Sequence, residues 1–242
     1  MTSLEIIKEK LSRLKALDLD FLIFGADSHT YNFNPTLSEN EVSVFEQEHN
    51  IRLPEEYRLF ITQIGNGGAG PFYGLYTLKD NEGDGSEEDI KFPFPFSAAN
   101  PFNLRDLLLN LDILYYDANT SQNENTAWEE LNKKIVSESY SRTNRGTIYL
   151  CTEGCGMYSV LVVNGAEYGN VWFVDLTNGL GVFPIIDPAT GKPVGFFRWY
   201  ELWLDSAIAE ERSEDENDRW SGEGMLSYTD YVTQLQYMMN NE

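Results

Sequence analysis

The ten residues from Asn66 to Leu75, NGGAGPFYGL, constrain this chain more than any other stretch. Their glycines open backbone angles that a Cβ closes to other residues. Pro71 then fixes φ and withholds a donor, so the chain must turn hard. Asn66-Gly67 is itself a turn or helix-stop dipeptide. The pattern predicts a sharp corner, entered by a helix and left by an aromatic-rich strand over PFYGLYTLK, residues 71–79.

Two helices lead into that corner. Ser38-x-x-Glu41 is a capping box, in which each side chain satisfies an orphan N–H at the helix start. Val42, Phe45 and His49 follow at helical spacing. Leu53-Pro54 opens a second helix, with proline at a first-turn position. There Tyr57, Phe60, Ile61 and Ile64 fall on one apolar face.

The order capped helix, LPEEY helix, glycine corner and strand resembles the SUKH superfamily, the Smi–Knr family. The matching text is LSENEVSVFEQEHNIRLPEEYRLFITQIGNGGAGPFYGLYTL, residues 37–78. Three further blocks fit the same pattern: GTIYLCTEGCGMYSVLVV (146–163), GNVWFVD (169–175) and FFRWYELWLD (196–205). Leu53, Pro54, Tyr57, Asn66, Gly67, Gly68, Gly74, Trp172, Trp199 and Trp203 carry the resemblance as structural positions. It implies a compact α+β domain that acts by binding. Bacterial members of the family are mostly immunity proteins that neutralise toxins, often nucleases. Fungal relatives regulate cell-wall glucan synthesis.

Charge narrows the choice of partner. Thirty-nine acidic against seventeen basic residues give a net charge of −22. Such a surface repels nucleic acid, because phosphate binding depends on Lys and Arg, and it repels anionic lipid. It attracts a basic protein and steers that encounter from a distance. Acidity also serves solubility alone.

No apolar run approaches the ~20 residues a bilayer-spanning helix needs. The N-terminus reads as a capped amphipathic helix rather than a signal peptide, with Thr2-x-x-Glu5 as its box and Leu4, Ile7, Leu11 and Leu14 on one face. Cys151 and Cys155, in CTEGC, lack CxxC spacing, and His29 and His49 lie far off in sequence. Two reduced thiols near a strand end are the simple reading, and both features predict a cytoplasmic protein.

Beyond the corner, NEGDGSEEDI (81–90) reads as a solvated acidic loop; it lacks the alternating carboxylates and flanking helices of an EF-hand. The prolines of KFPFPFSAANPF (91–102) rule out helix and central strand there, and its phenylalanines are expected to pack into the core. Residues 100–145 look like an elaboration on the family pattern. GTIYLCTE, MYSVLVVNG and GNVWFVDLT predict strands, with a hairpin connection between the last two. GLGVFPI predicts an edge strand stopped by Pro184. Trp199 and Trp203 share a helix face, packed on the sheet rather than free to stack on bases. The acidic run 210–218 and an amphipathic helical stripe through Tyr228, Tyr231, Val232, Leu235 and Met238 form a C-terminal extension, 206–242.

Nothing here assembles catalytic chemistry. Two histidines leave little scope for Ser-His-Asp or Cys-His systems. Neither GxxxxGK[ST] nor HExxH occurs. The glycine corner follows a helix and precedes a strand, the reverse of a phosphate loop. The expectation is a single α+β domain over 1–242, with N-terminal helices, a central mainly antiparallel sheet and C-terminal helices packed on it. It is expected to be non-enzymatic, without cofactor or metal. Resemblance and charge together point to an immunity protein that binds and neutralises a basic toxin domain through an acidic surface. A regulatory module of the glucan-synthesis type is the alternative. The expected contacts are Tyr73 and Tyr76, should they be exposed, with Glu82, Asp84, Glu87, Glu88 and Asp89 on the acidic loop; the 210–218 run is a rival patch.

Overall fold

Two reciprocal caps start the helical half of the molecule. The computed structural model describes residues 2–79, 89–105, 107, 139 and 141–210. In α1, Ser3–Leu17, the Thr2 side chain accepts from the Glu5 N–H while Glu5 accepts from the Thr2 N–H at 2.7 Å. Ile7 and Leu14 are its buried face, with Leu4 and Leu11 packed partly against the same core. A single turn, α2 (Ala26–His29), follows. Ser38 and Glu41 repeat the box at the start of α3, Glu39–Glu48.

The next helix starts just after the position its sequence pattern suggests. Pro54 is the N-cap, with ψ of 138°, and α4 runs Glu55–Gln63. The Pro54 carbonyl already accepts the first helical bond, from the Arg58 N–H at 2.9 Å. Arg58 also joins α4 to α3, pairing with Glu46 and Glu39.

The sheet has five strands: β1 (Phe102–Asn103), β2 (Thr147–Gly154), β3 (Met157–Val162), β4 (Val171–Asp175) and β5 (Gly181–Pro184). Their order is β1-β5-β4-β3-β2, and every neighbouring pair is antiparallel. The expected α+β architecture is therefore present. Because side chains alternate across a strand, the sheet builds two cores. Ile148, Leu150, Leu161 and Phe173 join the helices. Tyr149, Val160, Val162, Trp172 and Val174 face the other way, under Phe94 and Phe96. The proline-interrupted segment thus covers the second face, with the Phe94 ring 4.9 Å from that of Trp172.

β5 is not the edge strand the sequence suggests; the two residues of β1 lie outside it. Pro184 is tolerated because β1 is so short. Ile185 donates to Val171 of the β4 side at 3.1 Å, so the neighbouring Pro184 nitrogen faces the β1 side, beyond the residues β1 pairs.

Helix α5, Phe196–Glu210, closes the first core. Trp199, Tyr200, Trp203 and Leu204 are buried, and Phe60 of α4 meets the rings of Phe196 and Tyr200 at 5.0 Å each. Lys10 of α1 pairs with Asp205 at 2.7 Å. Trp199 and Trp203 occupy the packed positions that helical spacing assigns them. Most of the 100–145 elaboration, the 211–218 part of the acidic run and the stripe from Tyr228 to Met238 lie outside the described residues.

The corner departs from expectation. Residues 71–79 do not form a strand. Gly68 and Leu75 instead close a small loop by exchanging backbone bonds of 2.9 and 2.7 Å. Phe72 sits there at φ +52°, which no strand accommodates. The Tyr76 N–H donates to the Leu150 carbonyl at 2.8 Å and ties the segment to β2.

Candidate interaction surface

Asp18 is the organising residue of the chain after α1. Its carboxylate is buried and accepts from the Tyr31 hydroxyl and from the N–H groups of Leu22 and Ile23. Those bonds wrap residues 19–24 around one side chain. Ile23 turns into the core, whereas Leu19 is 73% exposed, Leu22 58%, Phe24 40% and Phe21 37%. Four large apolar side chains in six residues are left facing outward.

The glycine corner extends this surface. The Phe24 ring lies 5.3 Å from Tyr73 and 6.3 Å from Phe72, both in edge-on geometry. Tyr73 is 44% exposed. Gly25, at φ +76°, lets the two segments meet: a Cβ there would stand 2.0 Å from the Phe72 carbonyl oxygen. The corner is itself anchored. Tyr200 of α5 donates to the Ala69 carbonyl at 2.8 Å, and Asn66 accepts from the Leu78 N–H at 2.8 Å. His29 packs behind it, its Nδ1 accepting from the Tyr31 N–H; burial holds its pKa below the ordinary value.

Beside Tyr73 lies the β2–β3 turn. Gly154, Cys155 and Gly156 all have positive φ there. Glu153, partly buried, accepts from the Ser159 hydroxyl at 2.7 Å. Burial pushes its carboxyl up to about 7, with the charge of Asp175 adding to the effect. Asp175 accepts twice from Asn178 through Oδ1, at 2.7 and 3.0 Å. Its Oδ2 is buried without a hydrogen-bond partner, and burial raises its pKa also. Cys151 is buried beneath the same face, and burial pushes its thiol pKa up, the opposite of a reactive cysteine. Among the described residues, no group of three or more His, Cys, Asp or Glu is arranged to hold a metal ion. Nor is any helix long and apolar enough to cross a membrane.

The sequence-chosen contacts are dispersed. Tyr73 lies on the exposed surface. Tyr76 is half-buried against the second core. Glu82, Asp84, Glu87 and Glu88 lie outside the described residues. Asp89 is partly buried, and its carbonyl accepts from Phe92 and Gly146. Leu53, Tyr57, Trp172, Trp199 and Trp203 are core residues, and Gly67, Gly68 and Gly74 hold positive φ in the corner. Sequence reasoning missed Leu19, Phe21, Leu22 and Phe24. The signal was present as the apolar-rich run LDLDFLIF, residues 17–24, at the end of α1.

A family model described as the SMI1 / KNR4 family (SUKH-1) matches residues 36–191. That span includes Tyr73, Glu153 and Asp175 and leaves out the 19–24 segment. No curated protein and no solved structure matches the chain.

Proposed function

Since the chain belongs to the SMI1 / KNR4 family (SUKH-1), whose domains are generally non-catalytic immunity or regulatory domains, we propose that it works by binding one protein partner stoichiometrically. The partner is a basic toxin domain, and the chain neutralises it as an immunity protein. The observation that carries this reading is the exposed ring contact of Phe24 with Tyr73, with Leu19, Phe21 and Leu22 also exposed on the short segment that carries Phe24.

Large aromatic side chains held outward on a well-anchored frame are the usual anchors of protein interfaces. Monomeric proteins rarely leave such side chains together without use. The net charge of −22 supplies the long-range attraction to a basic partner. An acidic inhibitor that covers a basic substrate cleft excludes an anionic substrate by occupying its place. Smi1/Knr4-type regulation of a host protein is the second reading, favoured by the family description itself; it needs the same surface and a different partner.

The test is co-expression with a toxin encoded by the adjacent gene. Growth rescue and a one-to-one complex support the immunity reading. Absence of both, with a well-folded chain, sinks it. Complexes with a host protein alone support regulation.

A further inference from the structure

The acidic turn beside Tyr73 has a chemistry of its own. Glu153 and Asp175 share the helix-side face of the sheet with Ser159 and Phe173, which stand opposite each other in β3 and β4. Among the described residues, neither carboxyl has an ion pair. Asp175 is 1% exposed, and its Oδ2 has no donor. Glu153 is the more accessible of the two. A carboxylate withdrawn from water without a donor or cation is costly. Glu153 has one donor, the Ser159 hydroxyl, and burial still pushes its carboxyl up to about 7.

We propose that Glu153 receives a cationic side chain of the protein partner, a guanidinium by preference, which enters beside the Tyr73 ring with Asp175 as a positioning charge behind it. This rests on the binding reading above and deepens it, by naming what the partner must present next to its apolar contact.

Three features choose this occupant. The Tyr73 ring borders the turn, standing about van der Waals distance from where a Gly154 Cβ would be. A guanidinium stacks on such a face and still forks to a carboxylate. A divalent metal requires more oxygen ligands than this pair supplies, and no described residues complete such a set. The exposed rim of Phe24 and Tyr73 is suited to the apolar stem of an arginine. Contact falls to Glu153, because Asp175 is shut away; Asp175 acts through its charge.

The experiment titrates the full chain with N-ethylguanidinium chloride, with its neutral isostere N-ethylurea, and with calcium chloride at matched ionic strength. The Glu153 side-chain carboxyl and the Gly154 amide are followed by NMR. Ethylguanidinium is expected to shift both saturably and to move the Glu153 titration midpoint downward. E153Q is expected to abolish the effect, and D175N to weaken binding at least threefold with a smaller midpoint shift. Equal shifts from ethylurea, no saturable response, or a response to calcium alone overturns the proposal. Unchanged binding in E153Q does so too, and unchanged binding in D175N removes Asp175 from it. If either variant fails to fold, the contrast between cation and urea on the native chain still decides. Leu19→Ala separates this from the wider reading: Leu19 is exposed on the apolar segment and takes no part in the cation site, so the variant should leave ethylguanidinium binding intact while reducing partner capture.

Discussion

The ring of Tyr73 lies against Gly154, where an added Cβ would stand 3.4 Å from Cε2. That contact joins the glycine corner to the β2–β3 turn, two segments far apart in sequence, and makes one continuous surface of them. Tyr73 and Phe24 are surface residues, so truncating them should cost little stability, within about 1 kcal/mol. Binding should suffer far more. Phe24→Ala and Tyr73→Ala are each expected to weaken the complex at least tenfold by calorimetry, with thermal midpoints close to wild type. Unchanged affinity in both would move the interface elsewhere.

Gly25→Ala tests the frame beneath that surface. The position has φ +76°, and a Cβ would overlap the Phe72 carbonyl. Left-handed strain in a non-glycine residue costs about 1 kcal/mol or more, and the overlap must also be relieved by parting the two segments. The expected loss is roughly 2–4 kcal/mol in urea unfolding, with the Phe24–Tyr73 ring contact disrupted. A variant as stable as wild type would mean that the 19–24 segment is not clamped as described.

Much of the frame was legible because its causes are local. The caps at Thr2 and Ser38 depend on residues three apart, and both boxes form. Trp199 and Trp203 pack because helical spacing puts them on one face. The 71–79 segment misled because its aromatic residues favour strands while Phe72 is held at positive φ by the Gly68–Leu75 closure. The surface was harder to see. Nothing in the residue pattern marks Leu19, Phe21, Leu22 and Phe24 as surface residues; the wrapping of backbone around Asp18 leaves them facing outward. Glu153 and Asp175 were invisible among 39 acidic residues until the sheet register put them on one face.

Ser38→Ala removes one local cause in isolation. The hydroxyl accepts from the Glu41 N–H at 3.3 Å and is exposed, so packing is unaffected. The expected loss is about 1 kcal/mol, the usual value of an N-cap side chain. Ser38→Asp should retain most of the stability, because a carboxylate accepts the same bond and favours the helix N-terminus. Equal losses in both variants would assign the effect to something other than the cap.

Phe60→Ala probes the join between α4 and α5. The side chain is fully buried between Phe33, Phe196 and Tyr200. Removing it deletes apolar contacts and leaves a cavity among rings that cannot collapse easily, a change worth roughly 3–5 kcal/mol. Phe60→Leu should recover about half of that. Both are read from urea midpoints at constant slope. A loss below about 1 kcal/mol for alanine would indicate a core able to repack.

Glu153 should leave its mark on the pH dependence of stability. Its carboxyl rises from the ordinary 4.5 to about 7 in the folded chain. The folded state therefore holds this proton more tightly than the unfolded state does. Below the unfolded value both states are protonated, and the group's contribution is fully present. As pH climbs through the folded value, the native carboxyl must ionise in a poorly hydrated site and that contribution is lost. The full shift corresponds to at most ~3 kcal/mol, and less in practice because the side chain keeps some water. Glu153→Gln removes the titration. It should gain stability relative to wild type between pH 5 and pH 8, by one to two kcal/mol on that scale. Glu41 and Asp187 have lowered values and act in the opposite sense, but both variants share them and they cancel in the difference. Urea melts of the two proteins at pH 5, 6.5 and 8 measure it. A difference that does not change with pH would show that Glu153 carries no unusual proton, and would take with it the case for a carboxylate awaiting a cation.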